Sequence, residues 1–328
     1  MSLGILTTYR AGIQEGLKSA LAGGSRLRSI LRYHAGLEDE AGRPADATGK
    51  FLRPSLVLFV ATQLGADVEQ AMPAAIGLEL IHNFSLIHDD IQDADRTRRG
   101  RPTVWTVWGT NEAINAGDLM QAIAVSCALR AGSDVAGVLL AATDEMIEGQ
   151  SLDLGFESRQ ATLDEYLRMI DRKTGALLRA AFTLGGVVAG ADASVRRTLL
   201  ILGSSIGRAF QIQDDLLGVW GDSGVVGKPC GSDIRCGKKS YPTILAFERA
   251  RDEELSLLES IYARDEVTDE DVAWVMALMD RHRIRETGQE TVRSHLEESE
   301  SALDALGLSP AGRNDMNELL EYLAGRSK

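Results

Sequence analysis

Residues 78–93 read LELIHNFSLIHDDIQD, an apolar stretch that ends in three aspartates. Its apolar residues recur at steps of three and four, the period of a helix with a buried face. Asp89 and Asp93 are four residues apart, so they project from the same side of that helix. Carboxylates on an apolar helix cost free energy unless a cation compensates them, and Mg²⁺ prefers such oxygen ligands. The segment therefore predicts a magnesium-binding helix end at Asp89, Asp90 and Asp93, although a helix C-terminus that runs into solvent would read the same.

A second acidic interruption favours the metal. Residues 210–217 read FQIQDDLL, in which Asp214 and Asp215 interrupt another apolar helix pattern. Solvent exposure is a poor explanation for two such interruptions. If the two helices face each other, shared magnesium ions would bridge their carboxylates.

Basic residues follow each acidic cluster within glycine-bearing segments. Arg98 and Arg99 come shortly after the first cluster, and Lys228, Lys238 and Lys239 come after the second. Arginine matches phosphate oxygens in a bidentate way, and lysine acts as a point charge. Alternating acid and base on both sides of a cavity predicts a metal–diphosphate ligand, whereas a surface network of ion pairs is the simpler alternative.

Composition favours an all-helical protein. The chain has 328 residues, 44% of them hydrophobic, with seven prolines and only 5% aromatic residues, and good helix formers dominate. Three stretches break the helical pattern, namely residues 36–49, 94–102 and 221–242, and each is expected to be a loop. The expected fold is all-α, a single domain over 1–328 with about ten or more helices around a central hydrophobic cavity.

Charge and cysteine content exclude several classes of function. A formal net charge of −13 argues against nucleic acid and against an anionic membrane surface. The longest apolar stretch, residues 176–191, is broken by Arg179 and is too short for stable membrane insertion. Three cysteines without a metal-binding spacing, together with no recognisable signal peptide, lead us to expect a cytoplasmic protein.

These motifs together resemble the trans-isoprenyl diphosphate synthases, the family that includes farnesyl and geranylgeranyl diphosphate synthases. The resemblance covers the chain from about Gly49 to Pro242. It rests on residues 86–93 followed by RRGRPT at 98–103, on KTG at 173–175, and on QIQDD at 211–215. All of these segments match the family's motifs in order and spacing.

The resemblance implies an isoprenoid synthase fold, a homodimer, and a Mg²⁺-dependent prenyltransferase that condenses isopentenyl diphosphate with an allylic diphosphate (dimethylallyl, geranyl or farnesyl). The allylic diphosphate ionises, the isopentenyl double bond attacks the carbocation, and a proton is then lost. The residues assigned to catalysis are Asp89, Asp93, Arg98, Lys173, Asp214 and Lys228. Those assigned to metal binding are Asp89, Asp90, Asp93, Asp214 and Asp215. Isopentenyl diphosphate is assigned to Lys50, Arg53, His82 and Arg99, and the allylic diphosphate to Arg98, Lys173, Thr174, Gln211, Lys228 and Lys238.

Several of these assignments have a second interpretation. His82 shares a helix face with Asp89, yet a lone helical histidine is more often simply packed. Glu148, Gln150 and Asp153 resemble a polar cluster of the family, although Asp153 is also suited to capping a helix. Cys230 and Cys236 lie in the basic segment and are interpreted as incidental.

Two positions depart from the family pattern. Phe51 stands where a basic residue is usual, so the isopentenyl site is expected to lose one contact. Gly218 stands where the second acidic motif normally ends in aspartate, and Asp222 lies four residues further on. The second acidic wall is therefore expected to be weaker than the first.

The resemblance places control of product length just before the first acidic motif. Phe84 is expected to wall the hydrophobic tunnel, while the small Ser85 leaves space beside it. This combination favours geranylgeranyl diphosphate as the product, with farnesyl diphosphate as the alternative. A class I terpene cyclase is less favoured because it binds one diphosphate and does not need Lys50, Arg53 and His82. A non-catalytic synthase subunit is less favoured because such subunits generally lose the aspartate motifs.

Overall fold

The chain is helical almost throughout, which confirms the all-α prediction. The computed structural model describes residues 3–157, 159–221, 230–264 and 266–324. The helices are α1 (Gly4–Thr8), α2 (Arg10–Ala20), α3 (Arg26–His34), α4 (Leu52–Gln63), α5 (Val68–Gln92), α6 (Val104–Trp108), α7 (Thr110–Ala131), α8 (Ser133–Glu157), α9 (Leu163–Ile170), α10 (Ala176–Val188), α11 (Ala193–Trp220), α12 (Ser232–Arg235), α13 (Tyr241–Arg249), α14 (Asp252–Tyr262), α15 (Asp269–Arg281), α16 (Ile284–Leu306) and α17 (Pro310–Ala324). None of the helices in these ranges is long and apolar enough to cross a membrane.

Two short departures from α-helix interrupt this order. The strands β1 (Thr97–Arg98) and β2 (Arg101–Pro102) pair antiparallel, so the segment predicted as a charged loop is a hairpin. A π-helical turn spans Asp171–Gly175, directly between α9 and α10. Single π-helical turns are rare in proteins, and those that do occur frequently lie at functional sites.

The contacts divide the chain into two compact units. The first contains Met1–Thr143, Arg179–Leu200 and Leu308–Asp315, and the second contains Asp144–Leu178, Ile201–Gly307 and Met316–Lys328. The expectation of a single domain stays a prediction.

The core of the first unit forms where α5 packs along α7 and α4. The middle of α5 is buried on all sides, as expected for a helix without a polar face. Small residues allow the close packing: α7 buries Ala113, Ala116, Ala124 and Ala128. A methyl group at Gly77 of α5 would lie 3.1 Å from the carbonyl oxygen of Ala124.

The second unit has a separate core, to which α8, α9 and the helices from α11 to α16 contribute. Phe156, Tyr166, Ile212, Tyr241 and Met279 are among its buried members. The predicted loop 221–242 is wrong in its second half, because residues 232–235 form the short helix α12 and α13 begins at Tyr241. Ile234 is fully buried, and its burial fixes α12 to the unit.

Candidate functional site

The first acidic motif occupies the last turn of α5, which ends at Gln92 with Asp93 as its C-cap. The Asp89 side chain is half-buried and that of Asp93 is exposed, whereas Asp90 is only 1% exposed. A helix C-terminus carries partial negative charge, so carboxylates are unfavourable there without a cation. The Asp89 and Asp93 carboxylates are thus accessible, as the magnesium prediction requires, and Asp90 faces inward.

Asp90 is engaged by Arg98 from the hairpin that follows the motif. Arg98 Nε donates to Asp90 Oδ1 at 2.6 Å, while Asp90 Oδ2 is buried without a partner. Burial raises the pKa of Asp90, and the Arg98 guanidinium opposes that effect. The arginine that was predicted to bind diphosphate is therefore held in place by a carboxylate that was predicted to bind metal.

The hairpin turn places the Arg99 guanidinium against the backbone of Gly49, the residue before Lys50. Arg99 and Gly100 both have positive φ, 53° and 73°, the backbone that a tight two-residue hairpin turn requires. Positive φ is uncommon for a residue other than glycine and concentrates at functional sites. A methyl group at Gly49 would lie 2.8 Å from Arg99 Nη2, so the guanidinium packs directly over the backbone next to Lys50.

Arg53 and His82 meet beside this loop. Arg53 Nη1 lies 3.4 Å from His82 Nε2, and Arg53 Nε is buried without a partner. Burial, with Arg53 and Arg99 nearby, lowers the pKa of His82 well below its usual value. His82 is therefore neutral at physiological pH and contributes hydrogen bonding rather than charge.

Glu79 is a charged residue of this region that the sequence interpretation missed. It is 3% exposed and accepts a hydrogen bond of 2.9 Å from Asn83 Nδ2. Burial raises its pKa, whereas Asn83, Arg53 and Arg99 lower it. A glutamate between two leucines in an apolar helix was the available signal, because such a charge needs a compensating partner.

His34 was also missed, and it borders a crevice that is lined by the hairpin arginines Arg98, Arg99 and Arg101 together with Asp90. Its Nε2 atom is buried without a partner. Burial, reinforced by the three arginines, lowers the pKa of His34 to about 3. The crevice wall at His34 is therefore polar but uncharged.

The two residues assigned to product length differ in their environment. Phe84 is 5% exposed, and its ring meets His88 edge-on at 5.0 Å. Gly117 of α7 leaves the space that His88 fills, since any side chain there would clash with the imidazole. The Ser85 hydroxyl donates to the carbonyl oxygen of His82 at 2.8 Å, so its hydrogen bond is made to the backbone of its own helix.

In the second unit, the π-helical turn carries Lys173 and Thr174. Lys173 Nζ contacts Asp153 Oδ2 at 2.5 Å, and Thr174 Oγ1 donates to Gln211 Oε1 at 2.7 Å. Neighbouring helices reach this turn through glycines. A methyl group at Gly149 of α8 would collide with the backbone of Lys173, so the close approach requires glycine.

Asp215 is the centre of the second acidic motif. It is 1% exposed and accepts from four donors: the Tyr166 hydroxyl, the Tyr241 backbone N–H at 2.9 Å, Gln211 Nε2 at 3.2 Å and Lys238 Nζ at 3.1 Å. Its neighbour Asp214 is exposed. The two motifs therefore share one arrangement, in which the first carboxylate is accessible and the second is buried and bonded to a cation.

The remaining predicted residues have varied environments. Arg172, next to Lys173, pairs with Glu148. With the Lys173–Asp153 pair, two members of the predicted polar cluster therefore contact the π-helical turn. Lys228 and Asp222 lie outside the described residues. Phe51 has φ 57° and packs beneath the Arg10 guanidinium, which lies 5.3 Å from the ring centroid. Arg10 thereby places a positive charge next to the position that lacks a basic residue.

The site carboxylates do not make a metal centre by themselves. Across the parts of the chain that the structure describes, no group of three or more His, Cys, Asp or Glu side chains is placed to hold a metal ion. Mg²⁺ is commonly bound through one or two carboxylates, with substrate phosphate oxygens and waters as the other ligands. Asp89 with Asp93, and separately Asp214, fit that kind of coordination.

Known proteins match this arrangement in sequence and fold. The polyprenyl synthetase family model matches residues 36–279. The (2E,6E)-farnesyl diphosphate synthase of Mycobacterium tuberculosis is 38% identical over 309 residues, which cover 92% of this chain and 86% of that protein. The geranylgeranyl diphosphate synthase of the same species is 39% identical over 261 residues, which cover 77% and 74%.

A solved structure gives the same result. The polyprenyl synthetase from Streptomyces coelicolor A3(2) shares 35% sequence identity with a TM-score of 0.90, over 98% of this chain and 99% of that one. The similarity thus extends over nearly the full length of both chains.

Proposed function

Because the chain belongs to the polyprenyl synthetase family and is a short-chain trans-prenyltransferase, we propose that it joins isopentenyl diphosphate to an allylic diphosphate and that its main product is geranylgeranyl diphosphate. Its fold is the all-α isoprenoid synthase fold that the sequence predicted. Its activity belongs to isoprenoid biosynthesis, and farnesyl diphosphate is the alternative product.

The proposal that two diphosphates bind is supported by a group of basic residues distinct from Arg98. Arg53 and His82 lie together, and Arg99 packs over Gly49 beside Lys50. The four side chains meant here are separate from the acidic motif at residues 89–93 and from Arg98, which pairs with it. They are Lys50, Arg53, His82 and Arg99. An enzyme that binds a single diphosphate would have no use for them, whereas an isopentenyl diphosphate would occupy this cluster.

Magnesium fits the accessible carboxylates. Asp89 and Asp93 in the first unit, and Asp214 in the second, are the side chains that would hold it. When bound, magnesium would supply positive charge to the diphosphate leaving group. We propose that Asp90 and Asp215, by contrast, position cations, since both are buried and bonded to Arg98 and Lys238.

Each unit also has cations of its own that are suited to binding a diphosphate. Arg98 is fixed by Asp90, Lys173 by Asp153 and Lys238 by Asp215. Fixed cations stabilise developing negative charge without reorganising during the reaction. One such pair at about 4 Å is worth about 4 kcal/mol at an effective dielectric constant of 20. Lys228 is proposed in the same role from its sequence position.

Phe84 supports a short product. Its buried ring and its edge-on contact with His88 place a large, fixed side chain five residues before Asp89. A rigid aromatic at this point would end the space available to a growing apolar chain, because inserting further methylenes against a packed ring is costly. The small Ser85 side chain adds little bulk beside the Phe84 ring.

We also propose a homodimer that acts in the cytoplasm. Helix α7 exposes Ile114 by 43% and Leu129 by 58%, about four turns apart, and α8 exposes Leu140 by 46%. Apolar residues exposed along one surface typically mark an interface. Cytoplasmic action is supported by the three free cysteines, Cys127, Cys230 and Cys236, since a reducing compartment keeps thiols unpaired.

The test is incubation of the purified enzyme with Mg²⁺, isopentenyl diphosphate and each allylic primer, followed by analysis of product chain length. We expect a C20 product from at least one primer, and no elongation when chelator replaces Mg²⁺. A mainly C15 product would overturn the preferred chain length. Absence of elongation with every primer would overturn the synthase function itself.

A further inference from the structure

Gly218 has no room for a side chain, and the reason is Asp233. Gly218 lies one helical turn after Asp214 on α11. A methyl group at this position would lie 2.6 Å from Oδ1 of Asp233 and closer still to Oδ2. Carbon and oxygen atoms that are not bonded do not approach this closely. The Asp233 carboxylate therefore fills the space that a side chain at residue 218 would occupy.

The chain segment that carries Asp233 is fastened to the end of α11. Ser232 Oγ donates to the carbonyl oxygen of Gly218 at 3.2 Å, and the Gly231 N–H donates to that of Val219 at 3.0 Å. The Asp233 side chain is only 13% exposed. Its position beside Gly218 is therefore set by the fold.

Asp233 shares its partner with Asp215. Lys238 Nζ lies 3.1 Å from Asp215 Oδ1 and 3.3 Å from Asp233 Oδ2. Two carboxylates from different segments thus hold one cation between them.

We propose that Asp233 is a positioning residue that supplies, from α12, the carboxylate that the acidic pattern of α11 lacks at Gly218, and that it fixes the Lys238 ammonium together with Asp215. The proposal rests on the proposed function only where it takes Lys238 to bind the allylic diphosphate. The second acidic cluster is thereby complete in space although it is incomplete along α11.

A purely local role for Asp233 makes a different prediction. Asp233 is the second residue of the four-residue helix α12, where a carboxylate supports a helix start. Asparagine would lose this favourable charge, but the effect of that loss would be on the stability of α12 and not on substrate binding. If Asp233 acts only locally, Asp233→Asn will leave substrate kinetics unchanged. If it holds Lys238, the substitution removes a charge that asparagine cannot replace.

The test compares Asp233→Asn, Gly218→Asp and the double variant Gly218→Asp/Asp233→Ala with the wild type. We expect Asp233→Asn to raise the KM for the allylic diphosphate about 5- to 30-fold, the equivalent of about 1–2 kcal/mol, with the KM for isopentenyl diphosphate changed less than twofold. Gly218→Asp alone places two carboxylates in one space, so it should lower both activity and the thermal unfolding midpoint. The double variant should regain most of both, because one carboxylate again fills the space.

Asp269→Asn is the matched control. Asp269 also binds α12, through Arg235 at 2.6 Å, but the Asp269 side chain is 90% exposed and the described structure gives it no bond to Lys238. Its kinetics should stay within twofold of the wild type.

Two outcomes would overturn the proposal: an unchanged allylic KM in Asp233→Asn, or a double variant no more stable and no more active than Gly218→Asp. The unfolding midpoints are measured without substrate or metal. They test the shared space even if the wild type fails to elongate any primer, an outcome that would count against the proposed function alone.

Discussion

Tyr166→Phe removes one hydrogen bond from Asp215, a buried carboxylate that accepts from four donors. The Tyr166 hydroxyl donates to Asp215, and both side chains are 1% exposed. Burial, with Asp215 beside it, raises the pKa of Tyr166 well above its usual value, so the hydroxyl keeps its proton at any pH suited to assay. Phenylalanine fills the same space without the donor.

The expected loss follows from the charge on the acceptor. A hydrogen bond to an ionised group contributes about 1.5–3 kcal/mol, and Asp215 would keep only its three other donors. For a chain of this length the unfolding midpoint should fall by about 2–4 °C. Asp215 also fixes Lys238, so kcat/KM for the allylic diphosphate should fall about 5- to 30-fold, the equivalent of about 1–2 kcal/mol.

Tyr262→Phe is the control for loss of a buried tyrosine hydroxyl. The Tyr262 hydroxyl meets the Thr243 hydroxyl at 3.1 Å, a neutral pair worth about 0.5–1.5 kcal/mol. This variant should lose about 1–2 °C and keep wild-type kinetics. The reasoning is refuted if Tyr166→Phe keeps kcat/KM within twofold of the wild type, or if the two variants lose activity equally.

Three further predictions concern the first unit. Asp93→Asn should raise the Mg²⁺ concentration for half-maximal activity at least tenfold, whereas Asp90→Asn should raise only the allylic KM; an equal shift in Mg²⁺ requirement would show that Asp90 also binds metal. Phe84→Ala should lengthen the product in chain-length analysis and Ser85→Ala should not, and an unchanged distribution for Phe84→Ala would place the tunnel wall elsewhere. Leu129→Glu puts a charge on the exposed face of α7 and should yield monomers in sedimentation velocity, so a dimer of wild-type stability would exclude this face.

The local features of the fold and site were predictable from the sequence. The helical period around residues 78–93 and the four-residue spacing of Asp89 and Asp93 are short-range properties, and a helix follows from them directly. The family motifs then added Arg53 and His82, which the structure brings within 3.4 Å of each other. No local pattern indicated the π-helical turn at Lys173, because it depends on helices that approach through Gly149 and Gly207.

Contacts between distant segments were the part that the sequence could not supply. Asp233 fills the space at Gly218 from fifteen residues away, and Tyr166 bonds to Asp215 across 49 positions. The nearest aspartate after Gly218 along the chain is Asp222, which lies outside the described residues, whereas Asp233 is further along the chain and contacts Gly218 in space. A glycine at an expected acidic position is therefore weak evidence for a missing charge until the space above it has been described.

Helix geometry allows the two adjacent aspartates of each motif to take different roles. Adjacent residues on a helix point about 100° apart, so one member of each pair can face solvent while the other faces the interior. Asp89 and Asp214 take the accessible position, and Asp90 and Asp215 the buried one. Removing the partner of a buried ion pair is strongly destabilising, so each buried carboxylate holds its cation in place, and we propose that this cation binds a diphosphate. If Asp90 and Asp215 position cations, as we propose, the number of aspartates in such a motif exceeds the number of metal ligands.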